Sequence, residues 1–401
     1  MTSVHGPGEG GAPQQFATEA SAFQPQTRAS RRTERSMLRT WVLTGVAAVG
    51  FLVAALVISA YLQIAFGAQT AILAVLVAVL PLMIVIPTFL WLDRFEAEPK
   101  RYLAAAFLWG ALVAAIVAAT INTSAMAVLA ASTSPSGAEL MTAVVVAPFV
   151  EEAAKGAFVL IMWWFIRREF DGVIDGMVYA GIAAAGFAFT ENIQYLATAY
   201  AEGGSELLTA TFIGRCIMSP FAHPMFTVLT GIGIGMAAMS RSGWVRFVAP
   251  IGGYLLAVLA HALWNLAATS AGDGMFAVYL LVEVPVFVAW IVLVLWTRRR
   301  EGVLIGTYLR PYADAGWFAP AEVAMLASMP RRREARAWAR ANAGRAGLSA
   351  MRGFQDAASE LALLRRKMMI GHSDERAIQD ERTLLSSVVS HRRRFVGRPV
   401  A

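Results

Sequence analysis

Two adjacent carboxylates and a lysine stand inside an apolar stretch of the chain, in the segment P-F-V-E-E-A-A-K. Glu151 lies four residues and Glu152 three residues before Lys155, so on a helix the lysine can reach either carboxylate. A charged side chain at mid-bilayer depth costs about 3 kcal/mol, and such groups are rare unless they face a partner or a polar cavity. The segment therefore predicts either a buried ion pair that locks helix packing or part of a polar site.

Three further apolar stretches carry polar side chains that lipid would not tolerate on its own face. They are Glu191 and Asn192 in F-A-F-T-E-N, His223, and His261 and Asn265 in H-A-L-W-N. The last two are four residues apart and share one helical face. The chain has five histidines, and the other three lie in its terminal regions. Taken singly, each histidine could be a packing residue, and each asparagine could form a hydrogen bond that holds two helices together.

Depth in the membrane tests whether these residues can meet. At 1.5 Å per residue, Glu151 lies about 17 Å, Glu191 about 13 Å and His261 about 15 Å from the outer end of its span. His223 reaches this level if the first part of its span lies near the outer surface. Carboxylates and histidines at one level predict either an acid and base set acting on water or a metal site. The cofactor is not named by the sequence; if it is zinc, its expected ligands are His223, His261 and a glutamate such as Glu191.

The composition is that of a polytopic membrane protein. Of 401 residues, 57% are hydrophobic and only 15% are charged, and the mean hydropathy is +0.56. Several apolar runs exceed the length of about 20 residues that spans a hydrocarbon core. The single cysteine, Cys216, permits no intrachain disulfide. The net charge of +7 is concentrated in the terminal regions, which argues against a nucleic-acid surface.

The apolar runs predict an all-α fold, because lipid leaves such segments no other way to satisfy their backbone groups. The predicted domains are a disordered arm (1–36), an eight-helix membrane domain (37–300) and a basic helical tail (301–401). Within the tail, E-L-A-L-L-R-R-K-M-M-I is typical of either a solvated helix or a helix on an anionic membrane surface. The predicted spans are 41–66, 71–92, 102–122, 140–166, 173–199, 207–240, 247–270 and 275–297.

Orientation follows from the lysines and arginines, which are in excess in cytoplasmic connections. They occur before span 1, after span 8 and in every second connection between, whereas the other four connections contain none. Both termini are therefore expected to be cytoplasmic. The sixth span is too long for one straight crossing and is expected to be kinked. Its Arg215 either extends to the outer interface or pairs with a carboxylate of the core, and Glu283 either joins the cluster or marks a kink.

Four motifs in this order resemble the PrsW family of intramembrane proteases and, distantly, the CAAX-processing and bacteriocin-immunity proteases. The resemblance covers about residues 70–300. Its motifs are E-E-x-x-K at Glu151–Lys155, F-x-x-x-E-N at Phe187–Asn192, the histidine at His223, and H-x-x-x-N at His261–Asn265.

The resemblance implies a multi-span peptidase of the bacterial cell membrane that cleaves a membrane-anchored protein, as in site-1 cleavage of an anti-sigma factor. It places Asn265 as an oxyanion or positioning group, with Lys155 and Asn192 in support. Members of the family are classed as metalloproteases, whereas the related CAAX fold favours a glutamate mechanism. The H-E-x-x-H zinc signature is absent here, and both mechanisms stay open. The catalytic role falls on Glu151, Glu152, Glu191, His223 and His261.

Two other classes of protein would use the same residues differently. A proton-coupled or ion-coupled transporter would form a relay from the carboxylates and histidines. A membrane scaffold with a degenerate site would tolerate their replacement. Transport predicts uptake that depends on a proton gradient and yields no cleaved product, so the two functions are separable by experiment.

The predicted orientation is tested by reporter fusions. Fusions after Arg168, Arg246 and Arg300 are expected to report a cytoplasmic position, and fusions near Ser132, Gly203 and Asp273 an external one, because only the first set follows basic connections. An external signal after Arg168 would contradict both the span count and the shared depth.

Overall fold

The described secondary structure is helical throughout. The computed structural model describes residues 30–95, 97–166, 170, 172–270, 277, 279–369 and 375–396, and no strand occurs within these ranges. The prediction of an all-α membrane protein is confirmed. The helices are α1 (Ser30–Phe66), α2 (Ala68–Ala78), α3 (Leu82–Leu92), α4 (Lys100–Leu108), α5 (Ala115–Ala130), α6 (Pro135–Met141), α7 (Ala147–Phe165), α8 (Val173–Phe212), α9 (Ala222–Ala238), α10 (Gly243–Ser270), α11 (Val284–Asp314), α12 (Pro320–Leu326), α13 (Met329–Met369) and α14 (Glu375–Val396).

Short π-helical segments interrupt several of these helices. They are Trp109–Ala114 between α4 and α5, Thr142–Val146 between α6 and α7, Ile213–Met218 after α8, and Tyr279–Glu283 before α11. Such segments shift the register of a helix and are frequent at functional sites. Two of them, Thr142–Val146 and Ile213–Met218, directly precede helices that carry residues of the predicted polar cluster.

The chain divides into two units, residues 1–53 and 54–401, with the boundary inside α1. In the first unit the described residues form a helix whose valines, such as Val46 and Val49, are exposed, as expected for a side that faces lipid. Helix α1 already begins at Ser30, earlier than the predicted start at Trp41. Residues 1–29 of the predicted arm lie outside the described residues.

Six described helical runs are long and apolar enough to cross a membrane: Thr44–Phe66, Ala68–Leu92, Lys100–Ala130, Val173–Ala238, Gly243–Thr269 and Tyr279–Asp314. The predicted fourth span corresponds to α6, the π segment and α7, a stretch with four charged side chains that is not among these six. The predicted fifth and sixth spans form one run, interrupted at Gly203 and Gly204, where the backbone leaves the helical conformation. The count of eight and the cytoplasmic termini remain predictions.

Helix α8 lies at the centre of the apolar core, where nearly every side chain from Met177 to Phe187 is buried. It packs antiparallel to α9, and the two backbones touch at a pair of glycines. A Cβ atom on Gly231 would lie 2.1 Å from the carbonyl oxygen of Gly176, so any larger residue would push the helices apart. Small residues at such crossings are the means by which membrane helices approach closely. This contact sets how far α9 can lie from α8.

The C-terminal region, residues 301–396, folds around an apolar core of its own. Leu361 belongs to it and Leu363 is buried as well, so the leucine side of the E-L-A-L-L-R-R-K-M-M-I stretch packs inside the protein rather than against water or lipid. The core also contains Phe95 from the connection between α3 and α4. Arg332 is fully buried and donates hydrogen bonds to the carbonyl oxygen of Phe95 and to the Ser359 hydroxyl. The region is therefore packed against that connection.

Candidate active site

Four helices bring the predicted polar side chains together. Helix α7 contributes Glu151, Glu152 and Lys155; α8 contributes Glu191, α9 His223, and α10 His261. All six are joined by contacts of 3.9 Å or less. Within α7, Lys155 contacts both glutamates, as expected from the sequence, because residues three and four apart share one face of a helix. The residues of the other three helices reach the cluster through packing between helices, which sequence spacing does not define.

Glu152 is the most completely engaged carboxylate of the cluster. It is fully buried, and one oxygen accepts hydrogen bonds from Lys155 Nζ at 2.6 Å and His261 Nδ1 at 3.0 Å. The other oxygen accepts from the Thr227 hydroxyl at 2.7 Å. Because every one of these contacts is to a donor, Glu152 holds its neighbours in place and has little capacity left for a water molecule.

His261 is oriented by this carboxylate. Since Glu152 can only accept, Nδ1 of His261 carries the proton, and the lone pair lies on Nε2. That Nε2 atom is 3.9 Å from Glu151 Oε2. The ring of Phe226 stacks on the imidazole with centroids 5.1 Å apart, which fixes its plane. A histidine whose one nitrogen is held by a carboxylate presents the other as a base or a metal ligand.

His223 is held from both sides. Lys155 Nζ lies 3.2 Å from its Nδ1, and Glu191 Oε2 lies 2.6 Å from its Nε2. The lysine donates to Nδ1, so in the neutral imidazole Nε2 carries the proton and donates it to Glu191. The ring of Phe187 packs against both His223 and the Lys155 ammonium. These aromatic contacts exclude water from the inner side of the cluster and strengthen its hydrogen bonds.

Glu191 is anchored by Arg215, whose Nη2 donates to Glu191 Oε2 at 2.5 Å. The Nε atom of the same arginine donates to Asn192 Oδ1 at 3.0 Å. Of the two alternatives for Arg215, pairing with a carboxylate of the core is therefore the one observed. Asn192, predicted as a supporting residue, reaches the cluster through this arginine.

Glu151 differs from Glu152, both of whose oxygens accept hydrogen bonds, and from Glu191, which is held through Oε2, in having a buried oxygen without a hydrogen bond. Oε1 accepts from Asn122 Nδ2 at 3.2 Å, whereas Oε2 is buried without a hydrogen-bond partner among the described residues. Lys155 Nζ is 3.9 Å away from that oxygen. Glu151 thus has a buried oxygen with free capacity for a proton or a metal ion.

Three residues could hold a metal ion together. One donor atom from each of Glu151, His223 and His261 lies within 4.8 Å of the other two. Two imidazoles and a carboxylate are a typical ligand set of catalytic zinc, with a further position open to water. The carboxylate of this group is Glu151 and not Glu191, which was the expected ligand. The Oε2 atom of Glu191 is instead bonded to His223 and Arg215. The unpaired buried oxygen of Glu151 fits this role, since a buried carboxylate oxygen requires a partner.

Asn265 stands apart from the hydrogen bonds of the cluster. Its Nδ2 donates to the carbonyl oxygen of Ala143 at 2.7 Å, in the π-helical segment that leads into α7. It therefore connects α10 to the backbone that precedes the glutamate pair. Glu283 lies in the π-helical segment directly before α11 and Pro285, where it was expected to mark a kink.

Two residues that contact the cluster, Thr227 and Asn122, were not predicted from the sequence. Thr227 follows His223 by four residues, a spacing that could have identified it. Asn122 stands at the end of a predicted span, where a polar side chain is unremarkable. Its contact with Glu151 depends on how α5 packs against α7, for which the sequence carries no signal.

Comparisons with known proteins concern the same part of the chain. The model of a family described as PrsW family intramembrane metalloprotease matches residues 98–293. Protease PrsW of Geobacillus kaustophilus is 30% identical over 182 residues, which make up 43% of this chain and 74% of that protein. Protease PrsW of Clostridioides difficile is 31% identical over 160 residues, 39% of this chain and 62% of that protein. No solved structure gives a significant match. The C-terminal region lies beyond the matched residues.

The role of Thr227 in holding Glu152 can be tested by stability. Thr227→Val keeps the shape of the side chain but removes a donor to a buried carboxylate, and is expected to destabilise the protein by about 1.5–3 kcal/mol. Thr230→Val is the matched control, because the buried Thr230 hydroxyl has no hydrogen-bond partner in the described part of the chain. Unfolding of the detergent-purified variants gives the comparison. Equal stabilities would mean that the hydroxyl of Thr227 does not support Glu152.

Proposed function

We propose that this chain, which belongs to the PrsW family of intramembrane proteases, hydrolyses a peptide bond of a membrane-anchored protein with the cluster around Glu151 and Glu152. The observation that carries the proposal is the buried network in which Lys155, both histidines and all three glutamates are joined. Hydrolysis within a membrane needs a water-activating base, a proton donor for the leaving amine and groups that oppose developing charge. The cluster contains each of these.

Glu151 is the residue best suited to act on water. Its free oxygen can accept a proton from an attacking water molecule, whereas Glu152 is committed to three donors. Glu152 instead keeps His261 in one tautomer with Nε2 directed to the same region as Glu151. A carboxylate that orients an imidazole in this way improves catalysis without itself taking the proton.

His223 and Lys155 provide protons and positive charge. The Nε2–H of His223 is held by Glu191, which Arg215 anchors in turn. The Lys155 ammonium lies between His223 and Glu152 and offsets the charge of the carboxylates. These groups can return a proton to the leaving nitrogen and oppose negative charge on the attacked carbonyl oxygen.

The family description includes a metal, and Glu151, His223 and His261 are the residues that would hold it. A bound zinc ion would polarise the scissile carbonyl and lower the pKa of water. In that arrangement Glu152 and Glu191 would keep their hydrogen bonds from the two histidines, whereas Lys155 would have to release His223 Nδ1, the only nitrogen of that ring left for a metal. Such outer carboxylates raise the basicity of ligand histidines and fix their orientation.

The substrate proposed here is a protein with a single membrane span. The four helices that carry the cluster belong to the apolar part of the chain, so the scissile bond must enter the membrane domain. Anti-sigma factors fit this description through the family resemblance. The cell membrane of a bacterium is the corresponding proposed location.

Replacement of the glutamates tests the hydrolase function. Glu151→Gln keeps size and hydrogen bonding but cannot take a proton, so cleavage is expected to fall by about 10²- to 10⁴-fold. Glu152→Gln is also expected to lower cleavage, through loss of its hold on His261 and Lys155. Glu139→Gln, at an exposed position of α6, is the matched control and should cleave at the wild-type rate.

The assay uses co-expression with a single-span protein that accumulates when the gene is deleted, followed by immunoblotting at equal enzyme level. Wild-type rates for both Glu151→Gln and Glu152→Gln would refute the hydrolase function. Uptake that depends on a proton gradient, without a cleaved product, would then favour the transporter.

Metal content is a separate test. His223→Ala and His261→Ala are expected to lose stoichiometric zinc from purified protein, because each removes one of three ligands. His391→Ala, in the C-terminal region, is the control and should retain it. Metal content is measured by mass spectrometry and cleavage before and after chelation. Full activity of metal-free enzyme would contradict the metal role and leave Glu151 as the general base.

A further inference from the structure

An apolar groove of about 390 Å³ lies between α5 and the π-helical segment that precedes α7. Its α5 residues recur at intervals of three and four, so they occupy one face of that helix. The only polar side chain among them is Ser124, and its hydroxyl donates to the carbonyl oxygen of Thr120 in the same helix. The groove therefore presents an apolar surface. Its lining residues are Ile121, Ser124, Ala125, Val128, Leu129 and Val146.

The groove is open to the side on which the membrane domain meets lipid. Ile121 and Val128 are exposed, the latter by 70%, and both belong to a helical run that is apolar enough to span a membrane. Ser124 and Ala125 are small, which allows another helix to approach the α5 backbone closely. Shape and polarity thus suit an apolar helix that arrives from within the bilayer.

The same two chain segments lead directly to the active site. Asn122 follows Ile121 on α5 and donates to Glu151 Oε1, and Val146 precedes Glu151 by five residues. The Oδ1 atom of Asn122 and the Oε2 atom of Glu151 are both buried and have no hydrogen-bond partner among the described residues. Buried polar atoms of this kind need a partner. A peptide backbone offers one, since each residue carries a donor and an acceptor.

We propose that this groove receives the membrane span of the protein substrate and that Asn122 hydrogen-bonds the substrate backbone beside the scissile bond. The inference rests on the proposed function and adds the route of entry and one residue of the binding site. The Oδ1 atom of Asn122 accepts a substrate N–H group, while its Nδ2 keeps Glu151 Oε1 in place. The substrate must unwind locally for this contact, because a helical backbone has no free N–H group in its middle.

Disulfide cross-linking tests the occupant of the groove. The only cysteine, Cys216, is first replaced by alanine, and Glu151→Gln is added to prevent turnover. Ala125→Cys then places a thiol in the groove. Ala127→Cys is the matched control, because it lies at an exposed position about 200° away around the same helix. The probe is the single-span protein identified by accumulation in the deletion strain, with single cysteines on either side of its cleaved bond.

The expected result is a cross-link with Ala125→Cys and none with Ala127→Cys. If the wild type cleaves the probe but Ala125→Cys cross-links no better than Ala127→Cys, the groove assignment fails and the hydrolase function stands. A groove filled by lipid would give this result. If the wild type cleaves no single-span protein, the proposed function itself fails and the groove assignment with it.

Kinetics test Asn122 separately. Asn122→Leu is expected to lower kcat by about 10²-fold, because it removes both the acceptor for the substrate N–H group and the hydrogen bond that holds Glu151 in place, and a small misplacement of reacting groups typically costs that much. Ala125→Trp, which fills the groove, is expected to raise KM for the single-span probe, and Ala127→Trp to leave it unchanged. An unaltered kcat in Asn122→Leu would remove Asn122 from the substrate site.

Discussion

The ion pair between Glu152 and Lys155 is the interaction on which the rest of the site depends. Both side chains are fully buried, and removing either partner of such a pair typically costs about 3–5 kcal/mol, because the other charge is left without compensation. Each end of the pair also holds a histidine, His261 through the glutamate and His223 through the lysine. The two imidazoles are therefore placed by a single buried contact.

From Lys155 the network continues through His223 to Glu191 and then to Arg215. With all three carboxylates ionised, one lysine and one arginine leave one negative charge unbalanced, which a bound cation would offset. The aromatic rings of Phe187 and Phe226 cover the histidines, and the low dielectric constant behind them strengthens every contact. The same shielding makes an unpaired oxygen costly, which is why the free atoms of Glu151 and Asn122 point to a ligand.

Close helix packing is the second requirement. Glycines at the α8–α9 crossing let the backbones touch, and His223 of α9 reaches Glu191 of α8 at 2.6 Å. The C-terminal region is stabilised by a separate core. Its apolar core is built around a buried arginine, Arg332, whose donors are satisfied by carbonyl and hydroxyl oxygens. In the sequence this arginine belongs to a basic run that resembles a solvated surface, and so the folded core of the region was not predicted.

The sequence by itself determined the all-α membrane class and the polar residues of four apolar stretches. It could do so because lipid leaves the backbone no alternative to the helix and because charged residues in such stretches need partners. Helical periodicity also determined that Lys155 reaches its neighbouring glutamates. Only the tertiary structure decided that Glu151 has a buried oxygen without a hydrogen bond, that Arg215 anchors Glu191, and that Asn122 and Thr227 join the cluster. These contacts depend on the rotation and separation of neighbouring helices, which arise from packing between residues far apart in the chain.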